Sequence, residues 1–445
     1  MKQTDLIIIG AGPGGYRAAQ YAAEQGLKVV VFEQRHVGGT CLNEGCIPTK
    51  AYARNAEAMM LMRDSNIFGI VCDTLPAFRL DVAKMRKDQV IATLRSGVET
   101  LLAHPGITLV CAEARFTGAN TVVADGETYT APHIIVATGS EAKTLPLTTP
   151  PALPVLQAAD LLQADRLPER LCIIGAGVIG MEFASIFAAF GSQVTVVEFL
   201  KECLPALDTD IAKRLRKAIE KSGVVFNMQS AVTAITADGV MFNDKKGRPV
   251  TVAADAVLMA VGRRPRIADD FAAAGFAYDG RMGIAVDDNM QTTVPGIYAI
   301  GDVNGRQMLA HAAEMQAMRA VNHIVGKTDE IRLDIMPAAI FTLPEAACVG
   351  PTEDQLKAAG TPYTCRKAYW RANGKALAMN EPEGMLKLFA DDSDRIIGCH
   401  AYGAHAADIV QEAAALMCRQ TTVSQLRHIV HIHPTLGEVL REAAE

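Results

Sequence analysis

One unit occurs twice in this chain: an apolar strand, a glycine-rich turn, a helix, a second apolar strand and a closing acid. The first copy starts at Asp5-Leu6-Ile7-Ile8-Ile9, turns through Gly10-Ala11-Gly12-Pro13-Gly14-Gly15 and predicts a helix from Tyr16 to Gln25. Lys28-Val29-Val30-Val31-Phe32 follows as the next strand, and Glu33 ends it. The second copy runs from Leu171-Cys172-Ile173-Ile174 through Gly175-Ala176-Gly177-Val178-Ile179-Gly180, a helix through Phe190, and Gln193-Val194-Thr195-Val196-Val197 to Glu198. First glycine and acid lie 23 positions apart in both. A lone glycine turn says little, but two copies with equal spacing and matching flanks predict two dinucleotide-binding parallel sheets. Gly10 makes the tight turn, Gly12 lets backbone approach a pyrophosphate, and Gly15 lets helix pack on strand. The helix start then offers free N–H groups and a positive dipole end to the phosphates, and Glu33 can accept from ribose hydroxyls.

A second feature follows the first turn closely: Gly38-Gly39-Thr40-Cys41-Leu42-Asn43-Glu44-Gly45-Cys46-Ile47-Pro48-Thr49-Lys50. In a straight helix, five residues rise about 7.5 Å and leave two side chains on different faces. Bridging Cys41 to Cys46 therefore needs a distorted turn, because the Cα atoms must come within roughly 7 Å. Gly45 supplies backbone freedom and Pro48 fixes the exit. A pair held this way suits opening and closing better than stapling, and it sits beside a nucleotide fold.

Composition bounds the rest. At 445 residues the chain is too long for one core, so several domains are expected. With 49 acidic against 43 basic residues, the net charge of −6 gives no footprint for nucleic acid. No apolar run approaches a membrane span, and Met1-Lys2-Gln3-Thr4-Asp5 leads straight into a strand without a visible secretion signal. The other eight of the ten cysteines (Cys72, Cys111, Cys172, Cys203, Cys348, Cys365, Cys399, Cys418) are scattered and read as small buried hydrophobes. Cytoplasmic residence is the resulting expectation, and any disulfide there is more readily catalytic than structural.

Between the two copies, His133-Ile134-Ile135-Val136-Ala137-Thr138-Gly139-Ser140 is a strand closing on small residues, and Pro146, Pro150, Pro151 and Pro154 crowd a short linker. Ala256 to Gly262 repeats the strand-then-glycine ending, as does Gly296 to Asp302. A composition change near Lys327 to Pro337 opens a region of β-like runs with a late helix, about Ala406 to Arg419.

Taken in this order, the motifs give a chain that resembles the class I pyridine nucleotide–disulfide oxidoreductases over its whole length. The dithiol loop, Ala137 to Ser140, Gly301-Asp302, Met308-Leu309-Ala310-His311 and His431-Ile432-His433-Pro434-Thr435-Leu436-Gly437-Glu438 carry the likeness. The implied fold class is α/β, two Rossmann-like dinucleotide-binding domains for FAD and NAD plus a C-terminal α+β dimerisation domain. The expected boundaries are 1–145 and 265–333 for the two parts of the FAD domain, 146–264 for the NAD domain and 334–445 for the interface domain. The resemblance implies an FAD site from Gly10, Gly12, Gly15, Glu33, Gly39, Thr40, Lys50, Ala112, Thr138, Gly139, Ser140, Asp302, Met308, Leu309, Ala310 and His311. It implies an NAD site from Gly175, Gly177, Gly180, Glu182, Glu198, Val232 and Gly262. The acid Glu198 favours NAD, since it would repel a 2′-phosphate and only Lys201 is near. The family commonly has a glycine turn where Ala112-Glu113-Ala114 stands, and a small backbone adjustment should absorb the difference.

The resemblance also assigns roles. Cys41 would exchange with a dithiol substrate and Cys46 would sit beside the flavin. His433 would act as base, oriented by Glu438 as a triad acid orients its histidine, and would reach the dithiol of the other subunit of a homodimer. His431 reads as structural, and no metal site is expected. The implied activity is oxidation of dihydrolipoyl groups with reduction of NAD+, the lipoyl group coming from a 2-oxo acid dehydrogenase complex or a glycine cleavage system. The alternatives are an NAD(P)H-dependent reductase of another disulfide, of the glutathione reductase type, and a non-catalytic flavoprotein scaffold.

Overall fold

The computed structural model describes residues 1–71, 74, 77–146 and 153–445. Its contacts divide the chain into two compact units, each assembled from separated segments. One comprises Met1–Ala51, Val82–Lys143 and Gly262–Leu333, the other Tyr52–Asp81, Thr144–Val261 and Asp334–Glu445. Cys72, Pro150 and Pro151 lie outside the described residues, so the expectations placed on them do too.

The first unit is built on a five-stranded parallel sheet. Its strands lie in the order Ile297–Ala299, His133–Val136, Leu6–Ile9, Val29–Phe32 and Ile107–Val110. Continuous apolar strands are required because both faces are covered. Alternation sends Leu6, Ile8, Val29 and Val31 into one buried cluster and Ile7, Ile9, Val30 and Phe32 into another. Each such side chain contributes roughly 1.5–3 kcal/mol on burial. The helix against the first cluster is Pro13–Glu24, which starts three residues before the expected Tyr16. Proline at the first helical position explains the shift, since its fixed φ suits a helix start and its missing N–H costs nothing there.

The second unit repeats the plan. Its parallel sheet has the order Val155–Leu156, Ala256–Met259, Arg170–Ile174, Gln193–Val197 and Val225–Asn227. In both sheets the strand leading into the glycine turn is central, and the strand ending at the acid is its neighbour. The C-terminal part of this unit is different. There five antiparallel strands, in the order Ala338–Ile340, Ala346–Val349, Ile396–Tyr402, Met385–Ala390 and Thr364–Tyr369, share a core with the helix Ala406–Cys418. The single tryptophan, Trp370, is buried in that core and donates from Nε1 to Ala404 O at 3.0 Å.

Two expectations need correction. Cys111 and Cys418 are exposed and Cys365 is half-buried, so only Cys172, Cys203, Cys348 and Cys399 behave as buried hydrophobes. Cys111 lies one residue past a strand end and Cys418 ends a helix, where sequence periodicity no longer dictates burial. Pro48 does not close the dithiol turn but lies in the first turn of the helix Cys46–Arg63. Among the described residues, no helix is long and apolar enough to cross a membrane.

Candidate active site

The dithiol segment folds as two helices broken at one residue. Gly39–Glu44 is the first helix and Cys46–Arg63 the second; Gly45 between them takes φ −135°, ψ −101°. That break brings the Cα atoms of Cys41 and Cys46 to 4.7 Å, and the two form a disulfide. A β-carbon on Gly45 would sit 3.1 Å from Thr40 O, so the turn is tight as well as irregular. Thr49 holds the second helix start, its Oγ1 donating to Gly45 O at 2.6 Å.

The same loop is fastened to the first glycine turn. Gly38 N donates to Ala11 O at 2.8 Å, and a β-carbon on Gly39 (φ +59°) would meet Gly12 Cα at 2.7 Å. Thr40 follows in the same helix, and Lys50 lies further along the second one. Between the two cysteines in sequence, the buried Asn43 amide donates to Val37 O (3.0 Å) and Gly39 O (2.8 Å). Its oxygen accepts from Arg95 Nε and Nη2 at 3.0 and 2.6 Å. Sequence reasoning missed this brace. Its only signal was a polar residue between buried Leu42 and the bend, and Arg95 lies on a distant helix, Leu80–Leu102.

The two nucleotide folds share the geometry of their first and last glycines. Gly10 and Gly175 both have φ +104°, and β-carbons on Gly15 and Gly180 would lie 1.8 and 1.9 Å from Gly10 O and Gly175 O. By contrast a β-carbon on Gly177 meets nothing within 4 Å, and one on Gly12 only Gly39 Cα at 3.9 Å. The central glycines are thus not needed for packing and leave space in front of the backbone. The helices Pro13–Glu24 and Val178–Phe190 have no side-chain cap, so their first N–H groups are available to an anion. Both cradles fit a dinucleotide. The closing acids do more than the sequence suggested. Glu33 Oε2 accepts from Ala11 N at 2.9 Å and Oε1 from Arg35 N at 2.8 Å. Glu198 repeats this on Ala176 N (2.5 Å) and Leu200 N (2.7 Å). Each acid therefore braces its own glycine turn.

The remaining expected FAD residues all lie in the first unit. Ala112 is buried, and none of Ala112, Glu113 and Ala114 takes a positive φ, so alanine is accommodated where the family favours glycine. Thr138 Oγ1 donates to Arg266 O at 3.3 Å, and Gly139 (φ +76°) accepts from Arg266 N at 3.0 Å. Ser140 Oγ donates to Asp302 Oδ2 at 2.5 Å and accepts from Arg263 Nε at 2.7 Å. Burial raises the Asp302 carboxyl, against the lowering effects of the Ser140 hydrogen bond and the Arg263 charge. Arg263 was not anticipated. Met308 and Leu309 lead into the helix Ala310–Ile324, which carries His311 in its first turn and the buried Gln316, whose Oε1 accepts from Gly301 N at 2.7 Å.

In the second unit, Glu182 is buried in its helix and accepts from Phe341 N at 2.9 Å, Val232 lies in the strand Ala231–Thr236, and Gly262 (φ +100°) begins the return to the first unit. His433 also belongs to the second unit, with 79% of its side chain exposed. Its Nδ1 lies 3.0 Å from Glu438 Oε1, while Glu438 Oε2 accepts from Thr435 N at 2.9 Å. These two hydrogen bonds, the backbone one first, hold the Glu438 carboxyl below the usual range. A carboxylate so fixed leaves Nε2 as the ring nitrogen presented outward. His431 is different: Nε2 lies 3.0 Å from Glu412 Oε1 and Nδ1 3.0 Å from Ile429 O, and its side chain is largely covered. Burial pushes the Cys172 thiol up to about 12 and Cys348 to about 11, which disfavours the nucleophilic thiolate at both.

Known proteins resemble this chain along its length. A dihydrolipoyl dehydrogenase from Cupriavidus necator is 38% identical over 465 aligned residues, covering 100% of this chain and 98% of the relative. One from Bacillus subtilis is 37% identical, covering 98% of this chain and 97% of the relative. Among solved structures, the HOCl-induced flavoprotein disulfide reductase RclA from Escherichia coli superimposes with a TM-score of 0.86 at 29% identity, covering 98% of each chain. Residues 336–444 match the dimerisation domain of the pyridine nucleotide-disulphide oxidoreductases, which supports a homodimer. Residues 4–317 match the pyridine nucleotide-disulphide oxidoreductase family, whose members use FAD and NAD(H), and the chain belongs to that family.

Proposed function

We propose that the protein oxidises protein-bound dihydrolipoyl groups to lipoyl groups and reduces NAD+ to NADH. The observation that supports this most is the Cys41–Cys46 disulfide, set in a broken helix and hydrogen-bonded through Gly38 to the first dinucleotide turn. The names of relatives aligned along the whole chain support the choice of dithiol. In this reading residues 1–145 and 265–333 form the FAD domain, 146–264 the NAD domain and 334–445 the interface domain.

The chemistry is thiol–disulfide exchange. A substrate thiolate attacks Cys41 Sγ, the Cys41–Cys46 bond breaks, and Cys46 leaves as a thiolate. The second substrate thiol then attacks the sulfur bonded to Cys41, closing the lipoyl disulfide and releasing Cys41. Two electrons pass to the cysteine pair, and a proton leaves each substrate thiol. His433 is the acceptor, because only the thiolate is nucleophilic and the ring, held through Nδ1, presents Nε2 outward. Glu438 holds the ring through Nδ1 and stabilises the imidazolium. When bound, FAD supplies a two-electron acceptor for the reduced pair and a donor to NAD+. Glu198 would accept from the ribose 2′-hydroxyl and repel a 2′-phosphate, which supports NAD over its phosphorylated form. His433 serves the dithiol of the other subunit, the lipoyl group arrives on a partner protein of a 2-oxo acid dehydrogenase complex or a glycine cleavage system, and the enzyme works in the cytoplasm.

Anaerobic mixing of the holoprotein with dihydrolipoamide, without nucleotide, tests the electron path. The flavin spectrum should change within the dead time to milliseconds in the native protein and not in Cys41→Ser. An identical response in both would rule out the disulfide as the entry point.

A further inference from the structure

The second unit contains a buried charge cluster that the proposed reaction does not use. Lys387, on the strand Met385–Ala390, and Asp208, which caps the helix Thr209–Lys221, are each 1% exposed at the side chain. Lys387 Nζ donates to Asp208 Oδ1 and Oδ2 at 2.8 and 2.9 Å and to Glu353 Oε2 at 2.5 Å, which occupies all three ammonium protons. Asp208 is held from further sides. Its Oδ1 accepts from Asp210 N (3.1 Å), its Oδ2 from Glu353 N (3.1 Å), and its own N–H donates to His400 Nδ1 at 3.0 Å. Lys387 and His400 sit on antiparallel strands paired at those residues, so the sheet of the C-terminal region grips one point of the nucleotide-binding region.

That point ends the segment which begins at Glu198. Glu198 braces the second glycine turn through Ala176 N, and the following chain returns to the same residue, where Leu204 N donates to Ala176 O at 3.0 Å. Leu204 takes φ +50°, a left-handed conformation that costs an ordinary residue and persists only when its surroundings impose it. Leu207 N closes the turn onto Leu204 O at 2.9 Å, and Asp208 follows immediately. Cys203, Leu204 and Leu207 are all buried. The glycine turn is thus held at Ala176 from two sides, one through Glu198 and one through a strained turn whose far end is pinned by the lysine.

We propose that Lys387 is a positioning residue for the pyridine nucleotide: through Asp208 it fixes the 199–208 segment and with it the Ala176–Glu198 brace. Without the ammonium, Asp208 is an uncompensated buried anion and moves toward water. Leu204 then relaxes, Ala176 O loses its donor, and the ribose-binding acid loses its fixed aim. The inference rests on the second fold being the NAD site, and it concerns nucleotide binding rather than dithiol exchange.

The test is NADH titration of the oxidised holoprotein and steady-state kinetics, on Lys387→Met and Asp208→Asn. For folded, yellow Lys387→Met, the Kd for NADH and the KM for NAD+ should each rise about tenfold, with kcat and flavin reduction by dihydrolipoamide within about twofold of native. Asp208→Asn keeps the helix-capping oxygen and weakens the grip of the lysine, so about a threefold rise is expected; it decides the matter if Lys387→Met does not fold. Unchanged NADH affinity in either folded variant overturns the proposal. Equal losses in nucleotide binding and in the dithiol reaction also overturn it, because they describe general loosening. The titration reads the nucleotide alone, so failure of dihydrolipoamide as a substrate would count against the proposed function and not against this assignment.

Discussion

His433 and Glu438 carry the proposed base. The ring is exposed, yet Nδ1 is committed to a carboxylate that is itself pinned by Thr435 N. His433→Gln is expected to slow dihydrolipoamide turnover about 10²–10⁴-fold, the usual worth of a positioned base, while flavin reduction by NADH measured by rapid mixing stays near native. Equal losses in the two reactions would remove the base assignment. His400 makes the opposite case. Burial pushes it down to about 4, and the geometry agrees, since Nδ1 accepts Asp208 N–H while Nε2 faces Pro351 O at 3.1 Å. A protonated ring would set N–H against N–H. Its folded pKa lies below the unfolded value of 6.5, so its contribution is complete above pH 6.5 and is lost as pH falls toward 4. That loss is worth roughly 3 kcal/mol from this group, and Glu353, held near 2 chiefly by Lys387, extends it to lower pH. Urea unfolding from pH 7 to pH 4 should show the decline, and His400→Gln should flatten it.

At the scale of elements, the glycine turns were the most legible part of the chain because their constraint is local. One spacing encodes a positive φ, a contact no β-carbon could share and an open approach. Gly180→Ala should therefore weaken NADH binding by at least about tenfold while the protein stays yellow, and Gly15→Ala should lose FAD; purified-protein absorbance and NADH titration distinguish the two. The dithiol bend was legible for the same reason, as Gly45 lies between the cysteines. Its support was not. The Asn43–Arg95 brace joins a short helix to one 52 residues away, and no periodicity announces a pairing across that distance. Asn43→Ala strips an acceptor from Arg95 and a donor from two carbonyls, with an expected cost of about 1–3 kcal/mol, read from the urea midpoint. Burial of the scattered cysteines was misread where elements end. Alkylation of the native protein mapped by mass spectrometry should find Cys111 and Cys418 modified and Cys172, Cys203, Cys348 and Cys399 protected.

Across the whole molecule, two copies of one nucleotide-binding plan and a separate antiparallel C-terminal region account for the chain. The doubling was readable from motif spacing, but the way separated segments recombine was only outlined by the strand-then-glycine endings at Gly139, Gly262 and Gly301. Long-range pairings such as Lys387 with Asp208 appear only once the chain is folded. The division of labour is chemical. In the proposed reaction Cys41 and Cys46 in one unit would handle sulfur, His433 and Glu438 in the other would handle the proton, and the two glycine cradles would set where dinucleotides bind. The measurement that tests this most directly is steady-state turnover of the holoprotein with dihydrolipoamide and NAD+, beside oxidised glutathione with NADH and with NADPH. NADH formation from dihydrolipoamide is expected, abolished in Cys41→Ser and in Cys46→Ser, with little activity on glutathione. Faster reduction of glutathione by NADPH, or dihydrolipoamide turnover that survives loss of either cysteine, would contradict the proposed reaction.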